Sequence, residues 1–249
     1  MIELNDLEIY CNELLDVNAF QDYCPNGLQV DAGRSEVRKI VTGVTASQAL
    51  IDAAVDAKAD LLLVHHGYFW KGESEPLKGI KGRRIRALMQ AGISLLAYHL
   101  PLDAHPQFGN NRQLAEQLGF STAIPSKEGL IWQANLEQPL DANELATRIA
   151  KMLGQQPMHI PIENKPIQRI GWCSGGAQDY IESAAKLGLD AFITGEISER
   201  TVHLARELGV HFYAAGHHAT ERFGVQALGK HLAECHKLEH HFIDIPNPA

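Results

Sequence analysis

The sequence predicts an α/β fold built from two similar domains related by internal duplication, and three observations carry that prediction. First, Arg38 to Val44 reads as a strand, Ser47 as the cap of a helix from Gln48 to Ala57, and Asp60 to Val64 as the next strand. Strand, helix and strand within about 30 residues make a βαβ unit with a parallel pair. Second, the unit returns: Ile170, Gln178, Ile181, Ala184 and Asp190 repeat Ile40, Gln48, Ile51, Ala54 and Asp60 at a constant offset of 130 with no gap. Third, a further strand follows each unit, Gly92 to Tyr98 and Gly209 to Ala215. Each leads into a histidine with a carboxylate four residues later, His99 with Asp103 and His217 with Glu221.

The other elements follow in chain order. Leu4, Leu7, Ile9, Tyr10, Leu14 and Leu15 among acids predict an amphipathic helix over residues 3 to 17. Pro25-Asn26-Gly27 makes a tight turn, and Gly27 to Val30 a short strand. In the second unit Arg169 to Ser174 is a strand, Gln178 to Leu187 a helix, and Asp190 to Thr194 a buried strand. Between the units, Ser121 to Lys165 is proline-rich and holds a helix from Asp141 to about Leu153, stopped by Gly154. His241 to Ile245 is the last strand. The expected domains are residues 1–124 and 125–249, the second carrying the inserted segment, with the last strand able to return to the first half.

Hydrophobic content of 45% and charged content of 21% fit an ordered globular chain. A formal net charge of -8 argues against general electrostatic binding of nucleic acid. Met1 to Asp6 lacks the basic start and apolar run of a signal peptide, and no apolar run is long enough to cross a bilayer. The expected location is therefore the cytoplasm, with no membrane partner. Cys11, Cys24, Cys173 and Cys235 contain no C-x-x-C pair, so neither a zinc ribbon nor a disulfide framework is expected. Thirteen histidines beside four cysteines direct any metal site toward nitrogen and oxygen ligands.

Leu61-Leu62-Leu63-Val64-His65-His66-Gly67 joins a buried strand to two adjacent histidines at its carboxyl end, the edge where open α/β sheets bind ligands. With His99, Asp103, His217 and Glu221 these make six imidazole and carboxylate groups, enough for two ions if a carboxylate bridges them. Adjacent strand residues point to opposite faces, so both histidines reach one cleft only if the strand ends at His65. The i, i+4 pair His217 and Glu221 shares one face of a helix starting there. Pro101 predicts that His99 and Asp103 project from a loop instead. His99 and His218 stand between ligand-supporting and proton-carrying roles. By the repeat argument Gly195 and Glu196 stand where His65 and His66 do, which puts Glu196 near the cleft. His105, His159, His203, His211, His231, His236, His240 and His241 are read as structural.

Taken together, Pro25-Asn26-Gly27-Leu28-Gln29-Val30, Leu63-Val64-His65-His66-Gly67, His99-Leu100-Pro101-Leu102-Asp103, Thr194-Gly195-Glu196 and Gly216-His217-His218-Ala219-Thr220-Glu221 resemble the YbgI branch of the Nif-three-like dinuclear metal proteins. That family is often labelled as type-two homologues of GTP cyclohydrolase one. The likeness runs in order from about Asp22 to the closing Pro246-Asn247-Pro248. Carried over by position, the resemblance implies that His65, His66, Asp103, His217 and Glu221 are metal ligands, with Glu221 bridging two divalent ions (Zn, Fe, Mn, Co or Ni). It also implies two related α/β domains with the metal site in the cleft between them, and a homohexamer.

Other stretches admit two readings each. Tyr68-Phe69-Trp70-Lys71 is either a lid that stacks a flat substrate or a hydrophobic plug. Lys78, Lys81, Arg83, Arg84 and Arg86 are either a phosphate grip or, the favoured reading, a solvated helix face. Ser174-Gly175-Gly176 offers either backbone N–H groups for an anion or tight strand-to-helix packing, and matches no dinucleotide, Walker or esterase motif. The leading expectation is a dinuclear metal-dependent hydrolase of a small heterocyclic or nucleotide substrate. Its catalytic residues are expected to be His99, His218 and Glu196. The alternative is a non-enzymatic, metal-dependent binding or regulatory protein.

Overall fold

A computed structural model describes residues 1–127 and 130–249; Glu128 and Gly129, within the proline-rich segment, lie outside the described residues. The chain forms two compact units, Met1–Gly109 with Gly224–Ile245, and Asn110–Phe223 with Pro246–Ala249. The second unit begins before residue 125 because helix Asn110–Leu118 places Leu114, Ala115 and Leu118 in its core.

In the first unit, five strands lie in the order Glu239–Phe242, Lys39–Thr45, Leu61–His66, Ser94–Ala97 and Gly27–Val30. The first four are mutually parallel and the last is antiparallel. The strand near the chain's end thus pairs with Lys39–Thr45. Side chains alternate into two cores. Ile40, Leu61 and Leu63 pack with Leu4, Leu7 and Leu228. Val41, Leu62 and Val64 pack with Leu50, Ile51 and Leu88. Burial on both faces is the reason Leu61 to Val64 reads as an unbroken aliphatic run rather than an alternating one. The first helix spans Leu4–Leu14, and Ser47 caps Gln48–Asp56 by accepting the Leu50 N–H.

The second unit has a six-stranded sheet in the order Ile124–Pro125, Trp132–Leu140, Ile167–Trp172, Ala191–Thr194, His211–Ala214 and Met158–Ile160. Ile167–Trp172, Ala191–Thr194 and His211–Ala214 are parallel; Trp132–Leu140 and Met158–Ile160 on either side are antiparallel to them, and Ile124–Pro125 is antiparallel to Trp132–Leu140. Trp172 and Ile193 fill one core, Phe192 and Phe212 the other. The expected helix from Gln178 is a 3-10 turn, Gln178–Tyr180, running into Ile181–Lys186.

The 130-residue repeat has a physical counterpart. Asp60 Oδ2 accepts the N–H groups of Arg38 and Lys39 at 2.8 and 2.9 Å. Asp190 Oδ2 accepts those of Gln168 and Arg169 at 3.0 and 2.8 Å. In each case the residue two before the aspartate, Lys58 or Gly188, has a left-handed backbone, φ 56° or 70°. One turn and one carboxylate anchor recur at matching positions.

Candidate metal centre

The first unit presents His65, His66, His99 and Asp103. The strand runs through His66 rather than ending at His65, yet the two imidazole centroids are only 4.5 Å apart. That is too close for rings standing on opposite faces of a pleat, so both turn over the strand's carboxyl end. His65 is fully buried, and its Nδ1 lies 2.9 Å from the Tyr98 carbonyl oxygen. A carbonyl only accepts, so Nδ1 is the donor there, and in the neutral ring Nε2 carries the lone pair. That lone pair faces Asp103 Oδ1 at 3.5 Å. His66 Nδ1 meets the Thr45 hydroxyl at 3.2 Å.

His99 and Asp103 do not project from a loop. His99 caps and Asp103 lies within a short helical turn, Leu100–Ala104, in which Pro101 occupies the first turn. There proline's missing N–H has no intrahelical partner to lose. The Asp103 N–H donates to the His99 carbonyl, and Asp103 is buried. One nitrogen from each of His65, His66 and His99 lies within 4.8 Å of the others.

Asp22, which in the sequence marks only the approximate start of the family likeness, orients His99. Its Oδ1 accepts from His99 Nδ1 at 2.7 Å and its Oδ2 from the Leu100 N–H at 2.9 Å. Burial opposes its charge, but the hydrogen bonds from His99 and Asn26 outweigh burial and hold the carboxyl down at about 2. The nearby Cys24 thiol is pushed up to about 12 by burial, so it stays protonated.

In the second unit His217 opens the helix His217–His236, and Glu221 follows one turn later on the same face. His217 Nδ1 lies 2.7 Å from Glu196 Oε1, and Nε2 lies 3.2 Å from Glu221 Oε2. Burial disfavours the charged ring, but the Glu221 and Glu196 carboxylates outweigh it and raise His217 to about 9. His218 is buried, and its N–H donates to the Ala249 carbonyl at 3.1 Å.

Backbone clearance keeps this pocket open. A Cβ on Gly175, whose φ is 68°, would strike Glu221 Oε1, and one on Gly195 would come within 2.5 Å of His217 Cα. The N–H groups of Ser174, Gly175 and Ala177 are already taken by Asn111, Thr220 and Thr194. Gly175 therefore serves close packing around the Glu221 carboxylate, and these three N–H groups are not open to an anion.

The remaining candidates separate. Tyr68 is a core residue whose hydroxyl donates to the Ala46 carbonyl, whereas Trp70 stands beside His66 and His99. On helix Gly79–Ala91, Lys81 pairs with Glu73 while Lys78, Arg83 and Arg86 are exposed, as on a solvated face. Histidines read as structural are held within their own units. His105 Nδ1 accepts the Phe108 N–H, His240 meets Thr42, and His211 meets the Lys165 carbonyl.

The donor set fits divalent ions on chemical grounds. His65 and Asp103, and again His217 and Glu221, each set an imidazole nitrogen against a carboxylate oxygen while the ring's other nitrogen is hydrogen-bonded elsewhere. When each ring is neutral, two electron-rich atoms face each other, an arrangement that a shared cation stabilises.

Comparison with known proteins agrees in extent. The family model Duf34/NIF3 (NGG1p interacting factor 3) matches residues 2–248. A Vibrio cholerae protein named "GTP cyclohydrolase 1 type 2 homolog" is 56% identical over 247 residues, covering 97% of this chain and 98% of that protein. A Pseudomonas aeruginosa protein of the same name is 54% identical over 252 residues, covering 100% and 99%. Among solved structures, the one titled "Structural genomics, protein ybgI, unknown function" superimposes with a TM-score of 0.96 at 53% identity, covering all of both chains.

Proposed function

The chain belongs to the Duf34/NIF3 family, and from that premise we propose that it is a dinuclear metal-dependent hydrolase of small heterocyclic or nucleotide substrates. The observation that most supports this is the pair of imidazole–carboxylate oppositions, His65 with Asp103 at 3.5 Å and His217 with Glu221 at 3.2 Å. In this reading His65, His66, Asp103, His217 and Glu221 hold two divalent ions, with Glu221 as the bridge that the family resemblance implies. Imidazole and carboxylate together suit Zn, Fe, Mn, Co or Ni. Two such ions, when bound, supply a hydroxide nucleophile at neutral pH.

The chain's own residues do the rest. Glu196 fixes the His217 ring through Nδ1. Asp22 fixes His99 in the same way, leaving the other nitrogen to accept or deliver a proton. His218 is the second group proposed to move a proton. The name borne by the Vibrio and Pseudomonas relatives makes a purine nucleotide such as GTP the first substrate class to try. A homohexamer and a cytoplasmic setting belong to the same proposal.

The test is turnover of a panel of nucleotides and cyclic amides, GTP included, by wild type and Glu221→Ala, with metal per chain counted in both. The proposal expects two ions and turnover in wild type, with at least one ion and all turnover lost in the variant. Turnover by Glu221→Ala at full metal content would overturn it. Two ions without turnover of any panel member would favour a metal-dependent binding protein.

A further inference from the structure

We infer that Trp70 and Tyr23 form an aromatic rim beside the His66 and His99 imidazoles that receives the flat ring of a heteroaromatic ligand, a nucleobase or a close relative. The inference rests on the hydrolase reading for what happens to that ligand next. The rim itself stands on geometry.

Trp70 meets the His99 ring edge-on, with centroids 5.0 Å apart at 84°, and lies 5.9 Å from the His66 ring. Tyr23 approaches His99 from another loop, 6.5 Å between centroids, and is 62% exposed. The two loops are tied where the Lys71 N–H donates to the Tyr23 carbonyl at 2.6 Å. Two aromatic side chains flanking the same imidazole, Trp70 part-buried and Tyr23 exposed, offer a π-system stacking surface at little ordering cost.

The loop holding Trp70 is built for its position. Phe69 has φ 64°, a left-handed conformation that a bulky residue keeps only when its surroundings enforce it. Glu73 enforces it, accepting the N–H groups of Phe69 and Trp70 at 2.8 and 3.2 Å. Lys81 lies 3.5 Å from Glu73 Oε2 and 5.4 Å from the centre of the Phe69 ring. The Trp70 indole N–H donates to the Gly67 carbonyl at 3.3 Å, closing the turn onto the histidine strand. A ring needed only to fill a core would sit inside, as Tyr68 does with 4% exposure.

Guanosine is the probe, with ribose 5-phosphate as the ring-less control. Trp132 and Trp172, the other two tryptophans, are buried at 4% and 0% exposure, so Trp70 is the indole open to quenching. Acrylamide is expected to quench part of the native protein's fluorescence, and guanosine to quench that same part, while ribose 5-phosphate does neither. By equilibrium dialysis, Trp70→Leu and Tyr23→Leu should each weaken guanosine binding about tenfold or more. Trp70→Phe, which keeps a π-face, should stay within about threefold of wild type.

Metal content is counted in every variant. Guanosine binding by Trp70→Leu as tight as wild type would overturn the rim, as would no binding by wild type. Failure of acrylamide to reach Trp70 in the native assembly would overturn it too, because the ring would then be covered by another chain. Ring binding that follows the variants, with no turnover of any panel member by wild type carrying two ions, would defeat the hydrolase reading and leave the rim standing.

Discussion

Asp22 and His99, 77 residues apart in the chain, meet through a 2.7 Å hydrogen bond from imidazole Nδ1 to carboxylate. Around that bond the Asp22–Asn26 loop makes a cradle. Asn26 donates to Asp22 at 2.9 Å, and its Oδ1 accepts the His99 backbone N–H at 2.7 Å. Both the ring and the backbone of His99 are therefore placed by one short loop.

Asp22→Asn removes the charged acceptor while keeping its size. It should reduce turnover by about 10- to 100-fold, as loss of a partner that orients a site histidine typically does. The bound ions should remain, since Asp22 is not among the proposed ligands. Nitrogen-15 NMR of the His99 ring should show a changed tautomer population. Unaltered turnover with an unaltered His99 tautomer would remove Asp22 from the machinery.

Gly175→Ala tests the clearance beside Glu221. The residue has φ 68°, and its new Cβ would strike Glu221 Oε1. Gly119→Ala is the matched control, with φ 74° and nothing within 4 Å of its Cβ. The control should lose only the backbone term, about 1 kcal/mol, and keep its metal. Gly175→Ala should lose more stability and release metal as well. Chemical denaturation and metal analysis read both, and equal behaviour of the two variants would show that clearance at Gly175 does not matter.

Asp190 gives a pH signature. Burial opposes its charge, but the Arg169 and Gln168 N–H groups, and then Lys165, outweigh burial and lower its pKa. A carboxylate depressed in the folded state contributes stability fully above its unfolded pKa of about 4, and that contribution fades as pH falls toward the folded value. Wild type should therefore lose more stability between neutral pH and about pH 3 than Asp190→Asn does. Identical pH slopes in denaturant titrations would count against the anchor.

What the sequence revealed followed from local signals. The buried strand Leu61–His66 announced itself because both its faces pack inward. The helix at His217 was legible because Val225, Leu228 and Leu232 continue its periodicity into a core. The turn at Pro101 was misread because proline blocks a helix interior but suits a first turn, and only the cap position distinguishes them. Asp22 carried no signal of its own: an acid in an irregular loop gains a role only through a residue 77 positions away. The division of the chain at Asn110 was hidden for a similar reason. Helix Asn110–Leu118 is amphipathic either way, and its periodicity does not say which sheet its apolar face will meet.

The paired aspartates act at the end of each strand pair opposite the histidines, and there they work as a ruler. Asp60 clamps the start of one strand to the start of its neighbour, so the four residues Leu61 to Val64 count off a fixed length before His65 and His66. A slip of one residue would turn every side chain of that strand to the other face and carry the imidazoles away from Tyr98 and Thr45. Asp190 meters Ala191–Thr194 in the same way, so that Gly195 arrives where His217 needs space. Tolerance at the chemical end is thus set at the far end of each sheet, by carboxylates that touch none of the chemistry.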